Sequence, residues 1–240
     1  MEPTGIIFAA LDCDADAVEA WNRWYDLEHT PPNVLLDGVM LSRRYVSTPA
    51  LHDVRIAAPG SPFVDGRATF LTTYVLTGDP MTAFKGMTGL REELVAAGRM
   101  AFPDDKKAVR EGDVFATVSA VGAESTRCVP GDVPFIGHNG IVVVQRRGTD
   151  DWYAERAQQL VTLEGVHAVW TLESLTRASL RLDLVFLEGD LATLAPGLRE
   201  NAPHHPDAEV LLDTPYLLID PLRYPWAAEI RDSHLPRTVH

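Results

Sequence analysis

The sequence runs twice through the same order of predicted strands and helices, and this repetition constrains the fold more than any other feature. A buried strand at residues 5–12 begins GIIFAA, and a second pass begins at Gly140 with the similar GIVVVQ. Further along, YVLTGDP at residues 74–80 and VFLEGDL at residues 185–191 share Leu, Gly and Asp at equal spacing. We therefore predict a tandem duplication.

Hydrophobic periodicity predicts the order strand, helix, strand, strand, helix, strand in each pass. The first pass comprises strands at residues 5–12, 38–47, 68–76 and 113–121 and helices at residues 15–29 and 80–98. The second comprises a strand from residue 140, strands at residues 166–172, 180–187 and 209–219 and helices at residues 150–162 and 190–200. This is the ferredoxin-like order, so the predicted fold class is α+β with two such repeats.

The pattern divides the chain into four segments. They are a first repeat at residues 1–127, a Pro- and Gly-rich linker at 128–139, a second repeat at 140–220 and a C-terminal tail at 221–240. The first repeat has the longer first helix region and an additional loop at residues 48–66. Because a decorated copy of a fold is the better candidate for function, we expect the site in the first repeat.

The charge balance limits the partners of this chain. Lys and Arg number 21 against 34 Asp and Glu, which gives a formal net charge of -13. Such a surface does not neutralise phosphates or anionic lipid, so we expect neither nucleic acid nor a membrane as partner. The apolar run at residues 5–11 is too short for a signal peptide or a membrane span, and no basic segment precedes it. We therefore expect a cytoplasmic protein.

The segment WNRWYDLEHTPP brings aromatic and titratable residues together on the helix predicted for residues 15–29. At about 100° per residue, one face of this helix carries Trp21, Trp24, Tyr25, Glu28 and His29. Beside aromatic rings, partial desolvation raises the pKa of the Glu28 carboxyl and lowers that of the His29 imidazole unless the two pair. Such a pair in a cleft is a candidate general acid and base.

A purely structural interpretation of the same residues stays open. Glu28 and His29 lie in the last predicted helical turn before Thr30 and two prolines. At that position a His side chain binds the free carbonyl groups of the last turn and interacts favourably with the helix dipole. Trp and Tyr at helical spacing belong more often to a core than to a ligand site.

The same segment, followed by Gly38, Val39 and a strand that contains SRRY at residues 42–45, resembles the EthD-like family of the dimeric α/β-barrel superfamily. The resemblance covers residues 5–80 well, and the second half resembles the fold only. Relatives include cyclases, lyases and cofactor-free monooxygenases. The resemblance implies that two ferredoxin-like units pack their sheets face to face, and here both units lie in one chain.

The resemblance also implies that Tyr25 and His29 line a pocket between the sheet and the helices. The candidate catalytic residues are His29, Tyr25 and Glu28, and the candidate substrate-binding residues are Trp21, Trp24, Arg43, Arg44, Tyr45, Thr72 and Tyr74. Alternation along the strand places Arg43 and Tyr45 on one face of the sheet and Arg44 on the other. It does not show which of the two faces meets the pocket. A paired surface or inter-sheet arginine, and core packing of Thr72 and Tyr74, are the structural alternatives.

No cofactor and no metal are expected. The adjacent His204 and His205 point in opposite directions on an extended chain and have no third ligand at useful spacing. The tandem arrangement also resembles haem proteins of the chlorite dismutase and dye-decolourising peroxidase types, whose axial histidine lies in the second half. Their motifs are not found in this sequence.

These observations predict a cofactor-independent enzyme of the cyclase, lyase or isomerase type that acts on a small apolar or aromatic carbonyl compound. A cofactor-free monooxygenase of the same fold and a non-catalytic small-molecule binding or assembly protein are the alternatives. Since two repeats in one chain can cover each other's sheets, we expect a monomeric pseudo-dimer, with a further homodimer left open.

Overall fold

The structure, a computed structural model, describes residues 2–148, 152–233 and 235. The first half contains β1 (Gly5–Cys13), α1 (Val18–Trp24), α2 (Thr30–Val34), β2 (Val39–Val46), α3 (Pro49–Asp53), β3 (Ile56–Ala57), β4 (Phe70–Leu76), α4 (Pro80–Ala96) and β5 (Lys107–Gly122). The second half contains β6 (Gly140–Arg147), α5 (Trp152–Leu160), β7 (Val166–Ser174), β8 (Leu180–Leu187), α6 (Leu191–Asn201), β9 (Glu209–Leu218) and α7 (Ala227–Asp232). Residues 150 and 151 of the helix predicted at 150–162, and residues 234 and 236–240 of the tail, lie outside the described residues.

The described strands pair antiparallel in one sheet with the order β2-β4-β1-β5-β7-β8-β6-β9-β3. β2 also pairs with β9, through Tyr45 opposite Leu218 and Val46 opposite Leu217, so the sheet closes on itself. This confirms the predicted α+β class at the level of a large antiparallel sheet with helices.

Both faces of the sheet are covered, which explains why β1 is an almost continuous apolar run. The inner face is a core that both halves share and that includes Phe8, Phe115, Trp170 and Tyr216. The outer face of the first half packs against α1 and α4, and that of the second half against α5 and α6. A side chain of the first half therefore faces either the shared core or the helices.

The first helical segment is longer than predicted. A 3-10 turn (Ala15–Ala17) leads into α1, and a π-helical turn (Tyr25–His29) joins α1 to α2. The prediction that the double proline ends the helix was wrong, because Pro31 and Pro32 occupy the first turn of α2. A proline is tolerated there, since the missing N–H has no obligatory partner within the helix.

Two other boundaries also differ. The loop at residues 48–66 contains α3 and β3. β5 begins at Lys107 rather than at residue 113, because its charged residues find partners: Arg110 donates to Asp12 at 2.7 Å, and Glu111 accepts from Gln145.

Among the described residues, no helix has the length and apolarity needed to span a membrane.

The C-terminal tail docks on the first half. The Tyr224 hydroxyl donates to the carboxylate of Asp26, and the Trp226 ring lies 5.7 Å from that of Phe70. Asp26 lies on the π turn and Phe70 on β4, so the tail covers the segment that carries the candidate site.

Candidate functional site

A cavity of about 300 Å³ lies between the outer face of the first-half sheet and its helices. Its lining comprises Ile7, Ala9 and Leu11 of β1, Trp21 and Trp24 of α1, Tyr25 and His29 of the π turn, Asn33 of α2, Tyr74 of β4, Phe84, Met87, Thr88 and Arg91 of α4, Met100, and Lys107, Ala108 and Val109 of β5. Five of the predicted site residues are therefore brought together here: Trp21, Trp24, Tyr25, His29 and Tyr74. Most of the lining is apolar, which suits an aromatic ligand.

The π turn sets the position of His29. An α-helix turns by about 100° per residue, so residues four apart are offset on its surface. Here the N–H of Thr30 donates to the carbonyl of Tyr25, five residues back, and the wider turn brings His29 almost above Tyr25. The two ring centroids are 4.3 Å apart, and the His29 ring lies 5.0 Å from Trp24. Both aromatic contacts face the cavity.

Glu28 does not belong to this site, so its placement on the apolar face was wrong. The residue is exposed and is absent from the lining of the cavity. The physical reason is the same π turn: each residue rotates by less than in an α-helix, which turns Glu28 away from the face that Tyr25 and His29 share.

His29 is held as a neutral imidazole. Burial lowers its pKa from 6.5 to about 4, and the cations of Arg44, Arg91 and Lys107 add to the effect. Its Nδ1 is buried and has no hydrogen-bond partner among the described residues. At neutral pH the ring is therefore uncharged, with one nitrogen protonated and the other unprotonated in either tautomer.

Two tyrosines form the floor of the cavity. Burial is the main reason that the pKa values of Tyr25 and Tyr74 are raised, and for Tyr74 the neighbouring Tyr25 adds to it. The Thr72 hydroxyl lies beside Tyr25 and the amide of Asn33 beside Tyr74. Both phenols therefore remain protonated, and they are hydrogen-bond donors rather than bases.

Arg44 contacts the aromatic residues of this site but does not line the cavity. Its guanidinium lies 4.4 Å from the centroid of the Tyr25 ring and 5.4 Å from that of Trp21. Nη1 and Nη2 are taken by the Asp26 carboxylate and the side chain of Asn22. These contacts agree with the structural alternative of a paired arginine, which here holds the aromatic rings.

Arg43 and Tyr45 lie on the opposite, inner face of the sheet. Nε of Arg43 donates to the carbonyl of Pro134 at 2.9 Å, and the Tyr45 hydroxyl lies 3.2 Å from Nε2 of His138. The predicted alternation along β2 is correct, but this face meets the shared core instead of the cavity. Thr72 is on the helix side, as Tyr74 is, and contacts Tyr25 without lining the cavity.

Sequence reasoning missed the wall that α4 and β5 contribute. Phe84, Met87 and Arg91 follow one another at helical spacing on α4, a pattern that marks one face of the helix. Lys107 was missed because the strand was predicted to begin at residue 113.

Two histidines of the second half pair with carboxylates. Nε2 of His204 is bound to Asp213 at 2.7 Å, and His167 pairs with Glu188 at 3.2 Å. Neither lines the cavity. Within residues 2–148, 152–233 and 235, no group of three or more His, Cys, Asp and Glu side chains is placed to hold a metal ion.

Comparison with known proteins agrees with the fold. No protein-family model matches the chain, and no curated protein matches it. A provisionally assigned chlorite dismutase, TA0507, has 12% identity over 96% of this chain and 98% of its own, with a TM-score of 0.55. Two other proteins are less similar in structure. An anthrone oxidase-like protein has 10% identity over 90% of this chain and 92% of its own, with a TM-score of 0.48. A provisionally assigned monooxygenase from Lactobacillus acidophilus has 10% identity over 92% of this chain and 100% of its own, with a TM-score of 0.44. The first likeness shows a chlorite dismutase-like fold.

Proposed function

We propose that the chain is a cofactor-independent enzyme that acts by acid/base chemistry on a small, largely apolar or aromatic carbonyl compound. The observation that carries this proposal is a neutral His29 in the wall of an apolar cavity, packed against Tyr25 and with its Nδ1 unpaired among the described residues. Buried titratable groups with perturbed pKa values in a cavity are typical of catalytic sites.

In this mechanism His29 takes a proton from the carbon beside the substrate carbonyl. The electron pair of the broken C–H bond stays on the substrate as an enolate, and a phenol of Tyr25 or Tyr74 donates a hydrogen bond to its oxygen. Return of the proton at another atom completes an isomerisation, and loss of a leaving group completes an elimination. Since the pKa of His29 is about 4, the substrate must have an acidic C–H or O–H bond, such as one activated by an aromatic ring or by two carbonyls.

The positive charges beside the cavity support the same proposal. Arg91 and Lys107 both line it, and both disfavour a cationic His29. The same positive potential favours a substrate that carries a negative charge, more strongly in an apolar site than in water.

The second candidate is a cofactor-free monooxygenase. Dioxygen would attack the same substrate anion, convert a CH₂ group to a carbonyl and release the second oxygen atom as water. The largely apolar lining favours this candidate, because dioxygen is itself an uncharged, apolar molecule. Oxygen uptake distinguishes the two reactions.

A third candidate is a non-catalytic binding protein, in which the aromatic residues serve packing and ligand retention only. Replacement of His29 by Ala would then alter stability and affinity but no turnover.

The test is a thermal-shift screen of phenols, quinols and aromatic ketones with the wild type and with His29→Ala, followed by turnover assays under air and under argon. We expect hits whose conversion falls at least about a hundredfold in His29→Ala, the usual contribution of a general base. The matched control is Glu28→Gln, which removes a charge from the neighbouring exposed residue. Binding without any turnover by the wild type would leave only the third candidate.

We also propose that residues 1–127 and 140–220 are repeats of one ferredoxin-like unit, joined by a linker at 128–139 and followed by a tail at 221–240. Without the short β3, the strand order is β2-β4-β1-β5 in the first half and β7-β8-β6-β9 in the second, which is the same order relative to the chain in both. The pairing of β5 with β7 and of β2 with β9 supports a pseudo-dimer within one chain. Membership of the EthD-like family is part of this proposal.

A further inference from the structure

The floor and the mouth of the cavity differ in charge. Trp21, Tyr25 and Tyr74 on the floor are almost fully buried and uncharged at neutral pH. Arg91 on α4 is exposed and Lys107 on β5 is half-buried, and both lie at the open side of the cavity. A ligand that fills the cavity therefore has its inner end among neutral hydrogen-bond donors and its outer end near cations.

The two cations are not equivalent. Nζ of Lys107 donates to the Asp104 carboxylate at 2.7 Å and to the carbonyl of Phe102, so its charge is largely compensated. Arg91 has no ion pair or side-chain hydrogen bond among the residues that the structure describes. Arg91 acts on Asp104 only through its electrostatic field, so its guanidinium is the charge at the mouth that is held by no ion pair among the described residues.

The positive charge of Arg91 is opposite in sign to the net charge of the chain. The chain has a formal net charge of -13, and a surface of that sign repels anionic ligands unless a local cation offsets it. An arginine fork matches a carboxylate in bidentate geometry better than a lysine does. Arg91 therefore supplies the local charge and the geometry that an acidic ligand needs.

We propose that Arg91 is a specificity-determining residue that selects aromatic substrates with a carboxylate at the end remote from the reacting group. The proposal rests on the function proposed above and adds a substrate class to it: small aromatic acids whose carbonyl or hydroxyl lies near His29 and Tyr25 while the carboxylate lies at Arg91. Neutral aromatic compounds of the same shape bind the same cavity more weakly.

The test uses a pair of probes of matched shape, 2-naphthoate and 2-naphthamide, titrated by calorimetry into the wild type, Arg91→Gln and Arg23→Gln. Arg23 is an exposed residue on the opposite face of α1, so its replacement changes net charge equally without touching the cavity. We expect the wild type and Arg23→Gln to prefer the anion by about two- to fivefold, the range for a solvent-accessible ion pair, and Arg91→Gln to lose this preference. Added salt should reduce the preference of the wild type.

A fourth variant, Ala9→Phe, fills the cavity from β1 and should weaken both probes. If the two probes bind the wild type equally, or if Arg91→Gln and Arg23→Gln lose the preference alike, the role of Arg91 is refuted while the proposed function stands. If neither probe binds, or if Ala9→Phe leaves both affinities unchanged, the cavity is not the ligand site and both proposals fail.

Discussion

The low pKa of His29 makes a quantitative prediction about stability against pH. The pKa is about 4 in the folded protein and 6.5 without the fold. Above pH 6.5 both states hold the ring neutral, and its contribution to stability is complete. As the pH falls from 6.5 towards 4, the unfolded chain binds a proton that the folded protein does not, so stability is lost.

The size of this loss follows from the shift. At 1.36 kcal/mol per pKa unit, the wild type should lose about 3 kcal/mol of unfolding free energy from His29 alone between about pH 7.5 and about pH 4. His29→Gln removes the titrating group and keeps a polar side chain of similar length. His138, whose pKa is also lowered to about 4, is present in both proteins and cancels in the comparison.

The assay is urea unfolding of the wild type and His29→Gln at the two pH values, followed by tryptophan fluorescence. We expect the variant to be less sensitive to acid by about 3 kcal/mol, whatever its stability at neutral pH. A ring-proton titration by NMR should place the His29 transition near pH 4. An equal pH dependence in the two proteins, or a His29 pKa near 6.5, would refute the reasoning and remove the electrostatic basis of the proposed site.

Further predictions concern the support of the site and the assembly. Asp26→Asn should destabilise the fold by about 3 kcal/mol in urea unfolding, because it leaves the buried Arg44 uncompensated, whereas Asp220→Asn breaks only an exposed pair and should have little effect. Tyr74→Phe should keep affinity for aromatic ligands within about threefold but lower turnover, as expected for a donor to an enolate oxygen, measured by steady-state kinetics. Light scattering over a concentration series should give a monomer mass at low concentration, and a concentration-independent dimer would contradict this.

The order of strands and helices was predictable because both periodicities are strong in this chain. The strand at residues 180–187 agrees with β8 at both ends, and helix 80–98 differs from α4 by two residues at its end. The errors lie where local signals mislead. The double proline suggests the end of a helix but occupies the first turn of α2. The charged residues at the start of β5 do not suggest a strand unless their partners in the folded protein are known.

The candidate site was predictable only in part. The helix face that carries Trp21, Tyr25 and His29 emerged from simple periodicity, whereas a π turn has no sequence signal strong enough to anticipate. The turn decides that His29 enters the cavity and Glu28 does not. The role of Arg44 was equally hidden, because its partners Asn22 and Asp26 lie one helical turn apart on an element remote in sequence.

The two halves show why one of them is the better candidate for chemistry. Between the helices and the sheet of the second half, Arg146 binds Asp183 at 3.2 Å and Asp213 binds both Arg199 and His204 at 2.7 Å. Charged groups buried there form ion pairs with each other, so their charges are compensated within the protein. The first half has in the same layer a cavity, a neutral imidazole and two protonated phenols, and among the described residues His29 Nδ1 and the Tyr74 hydroxyl have no hydrogen-bond partner. Unmet hydrogen-bonding capacity beside an open volume costs stability, and a ligand that fills the volume recovers it.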